Sequence, residues 1–512
     1  MLLIVSTTRL HLATGATGEI GVDYGLNGDN LPSPEQTVAL LKSKGIARVR
    51  MYEARQEVTK AFANSGIELL LGIPNELLPK IAANLVEAIN WVTQNVISFP
   101  NSGISAIIVG NEWLLDPAHD PSLLLPAMLN VYTVLTTTQL LSLDLSSIKV
   151  STSHALNVLG VSFPPSAAQF NSGLLSVLSP ILNFLDQTGS FFMVNVFPYF
   201  AYVEDSNVSL EFALFEAKEA VRDPKTGFNY TNLFDLQLDA VYTALSGRAL
   251  AMARKSSSLG EVSTWRLNDY DVVKDQQQEE VNGRGSIGIP HASTGLQKRA
   301  DRKDRHQDAE RRSSRASRLR PRVLVGESGW PSGSGGSGSV PHSQLDSYYT
   351  GQYPFHAAHV MPPEGDVDKP RADVIPEYDV AQSPQCALQQ CPAAAGGTAQ
   401  QQSGDDVIPV AAELAAGVRR ASAGSAVRVE KASCGFSARV CGAATVENAR
   451  RYNQNLIRHV LQARGTPANP TTPIHAFIFA LFDEDLKQPP GPEQHYGLFF
   501  PNSQPVYPIT FH

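Results

Sequence analysis

Eight short apolar runs, separated by stretches with helical spacing, constrain the fold of this chain more than any other feature. They cover residues 20–24, 47–52, 67–73, 104–110, 148–153, 192–197, 323–326 and 476–482. Each is rich in β-branched or aromatic residues and bounded by turn residues, as buried strands are. Between them, 34–43, 85–96, 122–141, 232–245 and 446–463 carry apolar residues at helical spacing, and Ser33-Pro34 ahead of Glu35 is a helix start. Strand alternating with helix eight times predicts a closed parallel (β/α)8 barrel of TIM type. An open doubly wound sheet would need a Gly-rich phosphate turn after the first strand, and Gly21, Gly25 and Gly28 do not make one.

The strands fall in three zones. Residues 19–246 hold the first six, 322–334 the seventh, and 444–512 a helix and the eighth. Between these zones, 247–321 and 335–443 read as two long, disordered low-complexity inserts that interrupt the barrel. The first contains a Gln run at 276–278 and a basic tract over 298–322; the second follows a Ser/Gly run at 332–339. Its Pro-, Ala-, Gln- and Gly-rich sequence has too few large apolar residues to offset the entropy of ordering. Residues 1–18 read as a weak or truncated signal segment, because Arg9 and His11 interrupt the apolar start.

Composition narrows the partners. A net charge of −8 argues against a nucleic-acid binder, and the basic tract lacks aromatics on which bases could stack. No apolar run approaches the roughly 18 residues of a membrane span. The four cysteines, Cys386, Cys391, Cys434 and Cys441, all lie in the second insert; three pairings are open to them, and their spacing is not a zinc pattern. His356 and His359 read as a solvated pair. The expectation is a monomer with no cofactor and no metal.

A barrel of this kind places its chemistry at the C-terminal ends of its strands. The fourth run leads through Gly110 into Asn111-Glu112, and the seventh through Gly326 into Glu327-Ser328-Gly329-Trp330. Two carboxyl groups facing each other across a barrel mouth are what glycosidic hydrolysis needs: one protonated to release the leaving oxygen, one ionised to attack. A separation of about 5–5.5 Å makes such a pair retaining. Asn111 suits a sugar hydroxyl, and Trp330 suits either a pyranose face or the core. Tyr24, Tyr52, the run Phe197-Pro198-Tyr199-Phe200 and the run Asp483-Glu484-Asp485-Leu486-Lys487 add aromatic and polar groups at other strand ends. Trp330 stands where a Gly-x-Ser-x-Gly nucleophile elbow needs its second glycine, and no phosphate-loop or His-Glu-x-x-His pattern occurs.

The chain resembles glycoside hydrolase family 17, the plant endo-β-1,3-glucanases, over about three-fifths of its length. The resemblance rests on Ile20-Gly21-Val22-Asp23-Tyr24-Gly25, Val109-Gly110-Asn111-Glu112, Gly160-Val161-Ser162-Phe163-Pro164-Pro165-Ser166 and Asn232-Leu233-Phe234-Asp235. It continues in Glu327-Ser328-Gly329-Trp330-Pro331-Ser332, Tyr452-Asn453-Gln454-Asn455 and Phe479-Ala480-Leu481-Phe482-Asp483-Glu484. It implies retaining endo-hydrolysis of β-1,3-glucan, with Glu327 as nucleophile and Glu112 as acid/base. It also implies that Tyr24, Asn111, Asn195, Glu484 and Lys487 line the cleft, with Glu493 a further acidic position. Tyr199 and Trp330 join them as aromatic sugar contacts from the strand-end reading.

Phe197 stands where the family has tyrosine, and Trp113 where it has a small aliphatic residue whose replacement by a ring would narrow the site. The two inserts also depart from the pattern and look like read-through of non-coding sequence. These departures keep a catalytically impaired glucan-binding protein open as an alternative, beside a β-glucan transglycosylase. The resemblance places the protein outside the cell or in the vacuole, which suits the glycosylation acceptors Asn207-Val208-Ser209 and Asn229-Tyr230-Thr231.

Overall fold

The computed structural model describes residues 18–137, 145–258, 322–333, 442–462, 464–488 and 491–512, with backbone alone for 249–258. All of them fall in one unit, which excludes 361–433. The expectations for the signal segment over 1–17, the basic tract, His356 and His359, and the four cysteines lie outside the described residues.

Eight parallel strands close a barrel: β1 (Glu19–Tyr24), β2 (Arg48–Met51), β3 (Glu68–Ile73), β4 (Ile104–Asn111), β5 (Lys149–His154), β6 (Phe191–Asn195), β7 (Arg322–Ser328) and β8 (His475–Ile478). Each pairs with its sequence neighbours, and β1 closes on β8 through Ile20 opposite Ala476. β7 is held on both sides, Val323 opposite Phe192 of β6 and Val325 opposite Ala476 of β8. Strands buried on both faces become near-continuous apolar runs, which is why all eight were legible.

The barrel interior is layered. Its middle is apolar, built from Leu70, Ala106, Ile108, Met193, Leu324 and Phe477. Gly21 sits against this layer because a Cβ there would come within 2.6 Å of the Phe477 ring. At the N-terminal end, Arg48 pairs with Glu19 at 2.9 Å and Glu68 at 2.7 Å. Two residues further along β2, Arg50 reaches the opposite end, where the functional groups gather.

Surrounding helices pack on the strands' outer faces. Pro34–Ser43 starts from a capping box in which the Ser33 side chain accepts from Gln36 N and the Gln36 side chain accepts from Ser33 N. Leu85–Val92 runs on into a π-helical turn, Thr93–Ile97, and Val446–Leu461 begins at the Thr445 cap. The predicted helix over 122–141 is seen as Leu124–Thr137, and 138–144 lie outside the described residues.

Three local expectations change. Leu175–Thr188 is a helix not among those expected, with Pro180 inside it; its buried Leu178, Ile181, Leu182 and Leu185 show helical spacing, and Gly189 ends it at φ 61°. Residues 198–200, read as the end of the sixth strand, open the helix Pro198–Glu204, whose first-turn proline has no N–H to lose. β8 stops at Ile478 rather than continuing to 482: Phe479 N still donates to Ser328 O of β7 at 3.1 Å and Leu481 N to Asp23 O of β1 at 2.8 Å, but between them Ala480 N turns to Tyr496 O at 3.0 Å.

Candidate active site

The C-terminal ends of the strands open onto a cavity of about 1090 Å³. Glu112 and Glu327 both line it, as do Tyr24, Asn111, Glu484 and Lys487. The structure thus brings together six of the nine residues expected in the site.

Glu327 lies on β7 and is 6% exposed. Its Oε1 accepts from Arg50 Nη1 at 3.0 Å, while the same nitrogen donates to Gly326 O at 2.8 Å. Arg50 Nη2 donates to Asn111 Oδ1 at 2.8 Å, and the guanidinium sits 4.8 Å from the Tyr52 ring centre. One buried guanidinium therefore ties β2, β4 and β7 together at the barrel mouth. Burial works against its charge, but Tyr52, Glu327 and Asp23 outweigh burial and raise its pKa.

Asp23, wholly buried on β1, stands 3.6 Å from Arg50 Nη1. Burial pushes its carboxyl well above the usual range; Glu327 adds to the rise, and Arg50 opposes it.

Glu112 follows the last residue of β4 with φ at 53°, a left-handed conformation that L residues other than glycine adopt at a cost. It is held there by its backbone N–H donating to Ser153 O at 2.9 Å. Its Oε1 accepts from Asn195 Nδ2 at 2.8 Å. Burial is the largest cause of a carboxyl pKa pushed up to about 8, and the negative Glu327 adds to it; Asn195 and Arg50 pull the other way. The two carboxylates of one cavity thus have different partners: a cation for Glu327, a neutral amide for Glu112.

The Asn111 side chain spends its oxygen on Arg50 and on Asn195 Nδ2, 3.2 Å away. Asn75 clamps the Asn111 backbone, its Oδ1 accepting from Asn111 N and its Nδ2 donating to Asn111 O, both at 2.9 Å. Glu484 accepts from Asn27 N at 2.8 Å and stands 3.4 Å from Lys487 Nζ, which lies 3.8 Å from the Phe479 ring centre. Glu493 also lines the cavity, and burial raises its pKa. Tyr24 reaches Thr37 Oγ1 at 3.4 Å.

Three expected sugar contacts lie behind the cavity instead of in its wall. Asn195 is wholly buried and joins Ser153 Oγ, at 2.7 Å, to Glu112. Trp330 is also wholly buried; its Nε1 donates to Ala443 O at 2.8 Å, and its ring packs 5.1 Å from Tyr199 and 5.5 Å from Tyr452. Tyr199 points into this aromatic group because the helix starting at Pro198 turns it away from the strand end. Trp113 does not line the cavity either: it stacks on His119, whereas Phe197 is in the wall with Tyr24, Tyr52, Phe200 and Phe479.

Sequence reasoning missed Arg50, Asn75 and His119. Arg50 had a signal, an even spacing from Arg48 inside an apolar strand, which directs both side chains to one face. Asn75 and His119 are ordinary loop residues with no pattern to mark them.

A family model described as glycosyl hydrolases family 17 matches residues 20–250 and 432–511. It passes over β7, which the register with β6 and β8 nonetheless places in the barrel. Glucan endo-1,3-beta-glucosidase 11 of Arabidopsis thaliana is 42% identical over 259 residues, 50% of this chain and 59% of that protein. Glucan endo-1,3-beta-glucosidase 12 of the same plant is 30% identical over 499 residues, 97% of this chain and 61% of that protein. The chain thus spans 59% and 61% of the length of the first two curated relatives it matches. Among solved structures, a beta-1,3-glucanase and allergen of Cryptomeria japonica pollen superposes with a TM-score of 0.57 at 29% identity, covering 96% of this chain and 99% of that one.

Proposed function

Because the chain belongs to the glycosyl hydrolases of family 17, matched over residues 20–250 and 432–511, we propose that it cuts β-1,3-glucan internally with retention of configuration, Glu327 acting as nucleophile and Glu112 as acid/base. The relatives named as glucan endo-1,3-beta-glucosidases support the substrate class. The observation that carries the reading is the unequal pair: the Glu327 carboxylate bonded to buried Arg50, and Glu112 pushed up to about 8 at the same cavity.

In the first step the Glu327 carboxylate attacks the anomeric carbon while Glu112 gives its proton to the departing glycosidic oxygen. The bond to that oxygen breaks, and a glycosyl ester forms on Glu327. In the second step Glu112, now a carboxylate, takes a proton from water, whose oxygen displaces Glu327 from the same carbon. Glu112 is protonated again, and the sugar leaves with its original β configuration. Arg50 holds Glu327 in place, and Asn195 orients Glu112.

Tyr24, Asn111, Glu484 and Lys487 are proposed to meet the sugar hydroxyls, Asn111 through its Nδ2, since its oxygen is taken. Trp330 and Tyr199 act behind the site by packing the end of β7. Residues 247–321 and 335–443 are read as insertions flanking that strand, except that the helix Leu233–Ser258 carries the barrel into the first as far as Ser258, and Ala443, bonded by Trp330, belongs to the barrel end of the second. Exposed Asn207 and Asn229 suit a protein working outside the cell or in the vacuole. An impaired glucan binder loses support from Trp113, whose ring stacks on a loop histidine rather than filling the site.

The purified full-length chain is expected to release short oligosaccharides from soluble β-1,3-glucan. Glu112→Gln should lower that rate by about 10²–10⁴-fold, and Glu327→Ala should abolish it. A folded chain that binds the glucan without releasing reducing ends would refute hydrolysis.

A further inference from the structure

The loop that follows β4 carries a second construction outside the catalytic pair. Trp113, 3% exposed, lies parallel to the His119 imidazole, with ring centres 3.8 Å apart and planes 3° apart. Trp113 Nε1 donates to Asp120 O at 2.8 Å, and Trp113 O contacts His119 Nδ1 at 3.2 Å. One tryptophan thus closes the loop on itself and fixes the orientation of the histidine ring.

That contact also sets the tautomer of the neutral ring. A carbonyl oxygen can only accept, so Nδ1 carries the hydrogen and Nε2 keeps its lone pair. Nε2 stands 3.8 Å from Asp116 Oδ2, beyond hydrogen-bond reach. His119 and Asp116 both line the cavity, and the His119 side chain is 27% exposed. The ring therefore reaches the cavity with one face covered, one nitrogen used, and an acceptor nitrogen beside a carboxylate.

Resting on the reading that the substrate is β-1,3-glucan, we propose that His119 and Asp116 form an outer subsite for a glucosyl unit beyond those at the catalytic pair. Nε2 accepts from one sugar hydroxyl and the Asp116 carboxylate from another. Trp113 is a positioning residue: it holds the ring before the sugar arrives, so little rotamer freedom is lost on binding. The site selects for chain length, since only a glucan long enough to pass the loop can use it.

The test is calorimetric titration of β-1,3-linked glucose oligomers of two to six units into the full-length Glu327→Gln chain, where turnover is blocked. Adding His119→Ala should weaken the six-unit oligomer by about 3- to 10-fold, the worth of one or two hydrogen bonds, and the two-unit oligomer much less. Trp113→Leu should act in the same direction. Unchanged six-unit affinity in the His119→Ala chain would overturn the proposal, and so would equal weakening at every length. A wild-type chain that shows this length dependence but releases no reducing ends would remove the hydrolytic reading and leave the subsite standing.

Discussion

The pKa of Glu112 gives the proposed reaction a pH dependence of definite sign. The acid must hold its proton when the leaving oxygen departs, and a carboxyl pushed up to about 8 keeps it through neutrality and gives it up as pH rises past that value. We expect kcat/KM to fall on the alkaline side with an apparent pKa near 8. With an aryl glycoside whose leaving group needs no proton, Glu112→Gln should retain kcat/KM, which reports formation of the glycosyl ester, and lose that limb, while loss of the base slows hydrolysis of the ester. A limb that survives the substitution would assign it to another group. Arg50 makes a second prediction. Arg50→Met leaves Asp23 and Glu327 buried without their cation and should cost about 3–5 kcal/mol in denaturant unfolding. Arg50→Lys keeps the charge but loses the planar fork that serves Glu327, Gly326 and Asn111 together, so kcat should fall more than stability. Both carboxylates were legible because each ends an apolar strand. Arg50 was missed, because its even spacing from Arg48 gives the two a shared face without telling whether that face points inward or to solvent.

β7 is the element on which the site depends. Beyond its ladder with β6 and β8, its end is tied to the helix Val446–Leu461 and the residues before it: Ser328 Oγ meets Tyr452 OH at 2.6 Å, and Trp330 reaches Ala443 O. Trp330→Ala should therefore cost about 3–5 kcal/mol by leaving a cavity in this aromatic group. It should change the KM for glucan by less than about twofold in the chain that remains folded. A large KM change without loss of stability would return Trp330 to the sugar-binding wall. The strands could be read from sequence because burial on both faces favours apolar residues at most positions, Asp23 and Arg50 being buried exceptions, whereas Pro180 and Pro198 hid two helices. A proline breaks an apolar pattern without revealing whether it opens a helix, as Pro198 does where its missing N–H costs little, or lies inside one, as Pro180 does. The outward reading of Tyr199 failed for the same reason, since it depended on Pro198 ending a strand instead of beginning a helix.

At the scale of the whole molecule, the barrel closes among the described residues alone, and buried ionisable groups shape how its stability varies with pH. His154, on β5, is 1% exposed and stacks 5.1 Å from Phe192; burial holds its pKa down to about 4, below the ordinary 6.5. A group lowered in the folded state contributes stability above its unfolded pKa and loses it as pH falls through the folded value. The unfolding free energy should therefore decline as pH drops from about 6.5 to about 4, and His154→Gln should flatten that decline. Equal acid sensitivity in the variant would assign the effect to other groups. The distribution of charges inside the barrel was out of reach of the sequence, because it depends on which strand ends face one another after closure. That same closure brings Glu112 and Glu327 to one cavity, and proton NMR of the sugar released from β-1,3-glucan tests their proposed roles most directly. The account predicts that the β-anomer appears first and converts to α only by mutarotation, with neither released by Glu327→Ala; α-anomer as the first product, or undiminished release by that variant, would contradict it.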